Sequence, residues 1–304
     1  MRLLLVRTGP GPLLSDLCRA ESIEFVLGHA LYMKAIHGGK TKNDRIDAEK
    51  IAMLLRGGML PQAYAYPPEM RATRDLLRRR SRLVRMRAEL LGHVQLTKHQ
   101  YNVAPFKRKI AYRAGRQGVE DHFDDSVVRQ NVEVDIEAID YLERAIKRLE
   151  AYLVRQTRTG TGPAHDVQTF HRLRTVPGIG QVLAMTILYE IEDISRFPRV
   201  QEFVSYARLV KGQIWRSRIA NSAGKKLGTQ GGRMGNRHLK WAFSEAAILY
   251  LRESERAKRC VSRLEARHGK GKALSILSAK LGRAVYFMMR RQEAFDEDRL
   301  FATG

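Results

Sequence analysis

Two long stretches of this chain carry the apolar spacing of paired helices, and this spacing constrains the fold most. Between residues 127 and 157, apolar residues alternate at intervals of three and four: Ile139, Leu142, Ile146, Leu149 and Leu153. Between residues 69 and 101, two apolar rows repeat every seven residues: Met70, Leu77, Val84 and Leu91, and Leu76, Leu83 and Leu90. This spacing predicts helices that bury one face against another helix. The two helices can pair with each other or between subunits.

The chain is strongly basic, with 55 Lys and Arg against 32 Asp and Glu in 304 residues and a formal charge of +23. Repulsion between these charges is commonly offset by a polyanion, because Lys and Arg displace counterions from phosphates. Ribosomal proteins and proteins of anionic membranes share this signature. No apolar run reaches the roughly 18–20 residues of a membrane span. Cys18 and Cys260 form no metal-ligand spacing and no disulfide framework. We therefore expect a cytoplasmic nucleic-acid-binding protein with no membrane partner.

Breaks rich in glycine and proline divide the chain into three predicted domains. Residues 1–60 combine helical and strand patterns and predict a small α/β domain. Residues 61–162 hold the helical pair, and residues 163–304 predict a mostly helical C-terminal domain. The predicted fold class is mainly α, with a partial α/β domain at the N-terminus.

Within the first domain, residues 1–14 show no clear period. A short helix is predicted over Ser15–Glu21 and a strand over Glu24–Leu27. A further helix is predicted from Thr41 or Asn43 to about Arg56, where a Gly-Gly pair ends it. Residues 61–68 contain three prolines and predict a linker.

Asp44 and Asp47 are the first pair of candidate catalytic residues. Three residues apart on a helix, they share one face. Two carboxylates so placed can hold Mg²⁺, which prefers oxygen ligands and polarises a phosphate. The same spacing also occurs in an ordinary charged first turn, where Asp is favoured by the helix dipole.

The second constellation is the turn Val176-Pro-Gly-Ile-Gly180, which precedes an apolar helix over Val182–Ile191. Backbone N–H groups beside a helix N-terminus can bind phosphate, so Pro177, Gly178 and Gly180 are candidate nucleic-acid contacts. An ordinary turn between two helices has the same sequence features.

Basic residues concentrate in two other places. The first long helix carries an Arg-rich surface, and its candidate phosphate contacts are Arg78, Arg79 and Arg80. Residues 211–240 combine glycines, tryptophans and cations, a composition that suits nucleic acid. Its candidate contacts are Lys225, Lys226, Arg233, Arg237 and Lys240. Ser222, flanked by Ala-Gly and cations, can be an activated nucleophile or an ordinary loop serine.

Taken in order, these segments resemble bacterial DEDD transposases of the insertion-sequence-one-ten type, also called bridge-RNA-guided recombinases. The resemblance covers roughly residues 15–300. It is carried by the segments Lys40–Ala52, Leu60–Pro68 with the Arg-rich helix, Val176–Gly180, Phe203–Val210, Ser222–Gly224, Gly235–Trp241, Gly269–Lys272 and Ala284–Tyr286.

The resemblance implies an RNase H-like (RuvC-like) domain, a coiled coil, and a C-terminal transposase domain with a helix-hairpin-helix-like turn. It implies four acidic residues that hold Mg²⁺, of which Asp44 and Asp47 would be the third and fourth. Ser222 would attack a DNA phosphodiester and form a covalent intermediate. The resemblance also implies a structured guide RNA encoded by the element, and a homo-oligomer formed through the coiled coil.

The sequence departs from the family pattern in two ways. The strands that normally carry the first Asp and the Glu are not evident, and Asp16 and Glu21 lie in the helix beyond them. The family's Ser-Gly is Ser-Ala-Gly here, which leaves Ser217 as the alternative nucleophile. We therefore expect an N-terminally truncated transposase whose first 60 residues are poorly stabilised. The alternative is an inactive copy that only binds nucleic acid.

Overall fold

The computed structural model describes residues 2–5, 11–29, 32, 44–159, 166–210 and 235–302. They form two compact units, and the chain passes from the first to the second after Ala72. The predicted domain boundaries at residues 60 and 162 stay predictions. The described part of the chain is mainly helical, as expected.

The first unit begins with a β–α–β arrangement. Strands β1 (Arg2–Leu5) and β2 (Glu24–Leu27) pair in parallel, and helix α1 (Gly11–Ala20) connects them. Parallel strands need such a crossover, because a tight hairpin can join only antiparallel strands. The predicted strand over Glu24–Leu27 is confirmed. Residues 1–14, which show no clear apolar period in the sequence, contain β1 and the start of α1.

Helix α2 (Asp44–Arg56) follows and ends at Arg56, as predicted. The backbone of Gly58 has a φ of 64°, and the Met59 amide donates to the Leu54 carbonyl at 2.9 Å, an arrangement that closes a helix C-terminus. Leu54 packs with Val26 of β2 and Leu60, and these three buried side chains form the core of the unit.

The predicted linker at residues 61–68 is hydrogen-bonded to the end of β2. The His29 amide donates to the Pro61 carbonyl, and the Ala63 amide donates to the Leu27 carbonyl, both at 2.7 Å. This segment therefore extends the pairing beyond β2 instead of standing free. A β–α–β crossover occurs in several α/β folds, so the RNase H-like fold stays a prediction.

Helices α3 (Pro68–Gln100) and α5 (Ser126–Thr159) are the two long helices predicted from the apolar spacing. They pack against each other within one chain. Leu83 meets Leu142 and Ile146, whereas Val94, later in α3, meets Val132, earlier in α5. The two helices are therefore antiparallel. The sequence left open whether these helices pair with each other or between subunits, and in the structure they pair with each other. A coiled coil between subunits stays a prediction.

The connection between α3 and α5 contains helix α4 (Arg113–Arg116) and a 3₁₀ turn over Glu120–His122. Arg116 is almost fully buried. It donates to the Asp140 carboxylate at 2.8 Å and to the Ile110 carbonyl at 3.1 Å, and it forms an ion pair with Glu143 at 2.5 Å. A buried guanidinium is tolerated because these acceptors satisfy its N–H groups.

The C-terminal part is a cluster of helices around α7 (Gln181–Ile191), which is buried from Leu183 to Ile191. A helix that is apolar on all sides belongs inside a helical core. Among the described residues, no helix is both long and apolar enough to cross a membrane. The other elements are α6 (Val167–Leu173), a 3₁₀ turn (Ile194–Arg196), α8 (Val200–Tyr206), α9 (Arg237–Glu253), α10 (Glu255–His268), α11 (Lys270–Arg291) and α12 (Glu297–Phe301).

The packing of α3 on α5 predicts a large difference between two positions of α5. Ile139 is fully buried, whereas the Val134 side chain is 55% exposed. We expect Ile139→Ala to lower the free energy of unfolding by about 2–5 kcal/mol, because it leaves a cavity. The matched change Val134→Ala should cost less than about 0.5 kcal/mol. Urea unfolding followed by circular dichroism measures both, and equal losses would contradict the packing.

Candidate nucleic-acid interface

The side chains of the predicted catalytic residues lie outside the described part of the chain. Asp44 and Asp47 occupy the first turn of α2, and their side chains lie outside the described part. Ser222 and the alternative Ser217 lie outside the described residues altogether. The same is true of three predicted phosphate contacts: Lys225, Lys226 and Arg233.

The residues of the chain can be examined for oxygen ligands that would suit a metal ion. Asp44 and Asp47 are three residues apart on α2 and therefore lie on one face, where carboxylates suit Mg²⁺. Among the described side chains, no group of three or more His, Cys, Asp or Glu can hold a metal ion. Asp16, which was not predicted to be a metal ligand, forms an ion pair with Arg71. Asp44 and Asp47 therefore stay the candidate ligands.

The turn Val176–Gly180 joins α6 to α7 and is packed tightly against α9. Gly178 has a φ of +83°, and a Cβ at this position would lie 2.6 Å from the Tyr250 amide nitrogen. Gly178 is therefore required for packing. Gly180 is exposed at the N-terminus of α7, and no side chain caps that helix. Gly180 therefore stays a candidate phosphate contact.

Two of the three arginines predicted to contact phosphates form ion pairs with carboxylates of the same chain. Arg78 donates from Nε and Nη2 to the two carboxylate oxygens of Glu190, both at 2.7 Å. Arg80 lies 2.6 Å from Glu150 of α5. Arg79 is exposed to solvent. The Arg-rich surface of α3 therefore contributes both to internal ion pairs and to the outer surface.

Glu190 is the centre of a buried polar network. Its side chain is 3% exposed, and it accepts a hydrogen bond from Asn236 Nδ2 at 2.7 Å in addition to those from Arg78. Burial by itself raises the pKa of Glu190, but the hydrogen bonds and charge of Arg78, with the bond from Asn236, hold that pKa below its ordinary value. The carboxylate is therefore ionised at neutral pH, and it ties α3, α7 and the start of α9 together.

The chain leaves the described region after Val210 and returns at Gly235, and the two ends meet. The Asn236 amide donates to the Tyr206 carbonyl at 2.6 Å. Gly235 has a φ of +85°, and a Cβ there would lie 2.5 Å from the Tyr206 carbonyl oxygen. We call residues 206–210 and 235–238 the neck. Ser222 belongs to the sequence that begins and ends there.

Asn236 also caps α9, since its side-chain oxygen accepts from the amides of His238 and Leu239 at 2.8 and 3.1 Å. The first turn of α9 contains no acidic residue. Arg237 and Lys240, both predicted phosphate contacts, are exposed and three residues apart on this helix. The N-terminal end of α9 therefore presents cations beside the neck.

Glu190 and Asn236 are not among the site residues predicted from the sequence. Glu190 interrupts the apolar run from Val182 to Ile191, and a charge in a buried helix requires a partner. Asn236 follows a glycine and precedes a helical pattern, which is typical of an N-cap. The sequence therefore contains a signal for each residue, but neither signal shows that Glu190 and Asn236 are hydrogen-bonded to each other.

Comparisons with known proteins match both parts of the chain. A model of DEDD transposases of the IS110 type, described as Transposase, matches residues 6–99, and a model of the Transposase IS116/IS110/IS902 family matches residues 170–261. Both matched models describe transposases of the IS110 type. The match from residue 6 begins further toward the N-terminus than the motifs indicated.

The chain is also similar to a curated protein named "Putative transposase y4qE" from Sinorhizobium fredii (strain NBRC 101917 / NGR234). The two are 26% identical over 233 residues, which cover 75% of this chain and 53% of the relative. The chain therefore spans about half the length of this relative.

The two glycines of the turn before α7 should respond differently to substitution. Gly178→Ala places a Cβ against the backbone of α9 at a positive φ, so it should lower the free energy of unfolding by about 2–4 kcal/mol. Nothing lies within 4 Å of a Cβ at Gly180, so Gly180→Ala should cost about 1 kcal/mol or less. Thermal unfolding of both variants tests this difference, and equal losses would argue against the packing role of Gly178.

The neighbouring arginines of α3 should separate stability from nucleic-acid binding. Arg78→Ala leaves the Glu190 carboxylate buried with fewer donors, so it should destabilise the fold by about 2–4 kcal/mol. Arg78→Lys keeps the charge and should still lose stability, because a bidentate pair needs a guanidinium. Arg79→Ala should leave stability within about 0.5 kcal/mol of the original protein.

If Arg79 contacts a phosphate, Arg79→Ala should lower the slope of log affinity against log salt by about 0.9. Urea unfolding and fluorescence-anisotropy titrations of duplex DNA between low and high salt measure the two effects. An unchanged slope for Arg79→Ala would remove Arg79 from the interface.

Proposed function

We propose that this chain is a transposase that recombines the DNA of an insertion sequence, with Ser222 as nucleophile and Asp44 and Asp47 as Mg²⁺ ligands. The two family matches carry this proposal, because Asp44 and Asp47 fall within the first and Ser222 within the second. The formal charge of +23 supports DNA as the partner.

In the proposed reaction, the Ser222 hydroxyl oxygen attacks the phosphorus of a DNA phosphodiester. A bond from Oγ to phosphorus forms as the bond from phosphorus to one sugar oxygen breaks. The serine proton is lost to solvent or to a base, and the released sugar oxygen takes up a proton. A phosphoserine–DNA ester conserves the energy of the broken bond and can be resealed onto a second DNA end.

The remaining residues have supporting roles in this proposal. Mg²⁺, when bound by Asp44 and Asp47, would polarise a phosphate oxygen. The cations Lys225, Lys226 and Arg233 would neutralise charge on the DNA close to Ser222 in sequence. The Tyr206–Asn236 hydrogen bond fixes where that sequence leaves and rejoins the helical core.

Further partners belong to the same proposal. The exposed residues Arg79, Gly180, Arg237 and Lys240 would bind backbone phosphates. A structured RNA encoded by the element would select the DNA sites, since phosphate contacts carry no sequence information. Assembly of two or more copies would bring the DNA ends together.

Trapping the covalent intermediate tests the nucleophile. The protein is incubated with labelled DNA carrying the ends of its element, RNA transcribed from that element and Mg²⁺, and is then denatured. We expect a labelled adduct that survives denaturation, that Ser222→Ala abolishes and that Ser217→Ala retains. The reverse pattern would make Ser217 the nucleophile. Asp44→Asn and Asp47→Asn should each lower the adduct yield by at least about ten-fold at limiting Mg²⁺.

If DNA binds with normal affinity and no adduct forms, the chain is the nucleic-acid-binding protein that the sequence left as the alternative. Binding is measured on the same samples by gel shift, so that loss of binding and loss of chemistry are read separately.

A further inference from the structure

The hairpin formed by helices α10 and α11 carries a large excess of positive charge. Residues 255–272, which include its tip, contain seven Lys and Arg and two Glu. A single residue, Gly269, joins the two helices. It has a φ of 78°, its amide donates to the Glu265 carbonyl at 2.8 Å, and its carbonyl accepts from the Ala273 amide at 3.0 Å. The two helices pack against each other, so the chain doubles back at Gly269.

Three arginines form a row along one flank of α10. Arg259, Arg263 and Arg267 are exposed and four residues apart, so each lies about 6 Å further along the helix than the one before. Within the described part of the chain, none of the three is paired with a carboxylate. Like charges at this spacing repel each other, so the row lowers the stability of α10 in the free protein.

The two acidic residues of α10 lie away from this row. Glu255 forms an ion pair with Lys258 at 2.5 Å. Lys258 comes five residues before Arg263, which places it about 140° away around the helix. Glu265 comes two residues after Arg263 and therefore lies about 200° further around. The acidic residues of the helix therefore leave the charge of the arginine row unbalanced.

The ring of Phe301, at the end of α12, shows which flanks of α10 and α11 lie on the same side. The Arg256 Cζ atom of α10 lies 5.6 Å from the ring centroid, and the Lys280 Nζ atom of α11 lies 5.8 Å from it. Arg256 stands three residues before Arg259, at the start of the arginine row. Lys272 is exposed and stands eight residues before Lys280, about two turns away on the same face of α11. Both rows of cations therefore lead from Phe301 to the tip of the hairpin on one side of it.

We call Arg259, Arg263, Arg267 and Lys272 the tip face. The arginines present three charges over about 12 Å of α10, and Lys272 adds a fourth from α11. Like the arginines, Lys272 has no ion-pair partner among the residues that the structure describes. It lies in the first turn of α11, which has no acidic residue, although the helix dipole disfavours cations there. Such a face is stabilised when a polyanion supplies the opposite charge.

We propose that the tip face binds the phosphate backbone of duplex DNA. Guanidinium groups match phosphate oxygens through paired hydrogen bonds, and such contacts position a duplex without reading its sequence. None of the four side chains is aromatic, so the face offers no ring on which unpaired bases can stack, as surfaces that bind single strands do. This proposal rests on the proposed function for the identity of the partner. It adds a surface whose residues are not among the contacts predicted from the sequence.

Lysine footprinting tests where the DNA lies on the protein. The full chain is treated with an amine-acetylating reagent, with and without a duplex DNA oligonucleotide, and the acetylation of each lysine is measured by mass spectrometry. We expect the DNA to protect Lys272, together with the exposed Lys270 two residues before it. Lys258 is the internal control, because it is exposed on a different flank of α10 and should stay as reactive as in the free protein.

Salt titrations of the full chain with the same duplex test the arginines. Arg263→Ala and Arg267→Ala should each lower the slope of log affinity against log salt by about 0.9, because each variant loses one phosphate contact. The matched control Lys258→Ala removes the same charge from the other flank of α10 and should keep the original slope. Both arginine variants should melt no lower than the original protein, because repulsion is relieved, whereas loss of an arginine with a structural role would lower the melting temperature.

Unchanged acetylation of Lys272 at saturating duplex DNA, or slopes for the arginine variants equal to that of Lys258→Ala, would overturn the tip face and leave the proposed function intact. Stronger protection of Lys272 by duplex RNA or by single-stranded DNA of the same sequence would overturn the assignment to duplex DNA. Protection of Lys272 by duplex DNA without a covalent adduct at Ser222 would support the tip face and reject the proposed chemistry. If the original protein binds no DNA, both proposals fail.

Discussion

The ion pair between Arg78 and Glu190 is the interaction on which the rest of the second unit depends. It joins the helical hairpin to the most deeply buried helix of the C-terminal part, and through Asn236 it reaches the start of α9. An ionised group so deeply buried is costly unless its partners are held in place. Packing and electrostatics therefore depend on each other here, because the helices position the donors and the donors keep the carboxylate ionised.

This arrangement divides the basic residues into two groups with different roles. Arg78, Arg80 and Arg116 are bound to carboxylates inside the second unit and contribute to its stability. Arg79 and Arg237 are exposed and contribute to the external field. The net charge of +23 therefore describes the attraction of the protein for polyanions, but it does not show which arginines provide that attraction.

The two long helices could be predicted from sequence, because apolar residues at intervals of three and four follow directly from the geometry of a helix with one buried face. Strand β1 could not, since four residues of a parallel strand carry no alternation that marks them. The partner of Arg78 lies 112 residues away, and the composition of α3 shows only that arginines are abundant there. Gly178 was predicted as a phosphate contact, whereas its close approach to Tyr250 depends on tertiary packing that local sequence does not reveal.

The hydrogen bond between Tyr206 and Asn236 has a consequence for how this protein can diverge. It brings together the two ends of a 24-residue stretch, so the core already holds those ends in place. The entropy of closing such a stretch changes slowly, by roughly 0.6 kcal/mol for each doubling of its length. A change in the number of residues between 211 and 234 should therefore be compatible with the fold of the helices as long as Gly235 and Asn236 are kept, whereas the proposed reaction also requires Ser222.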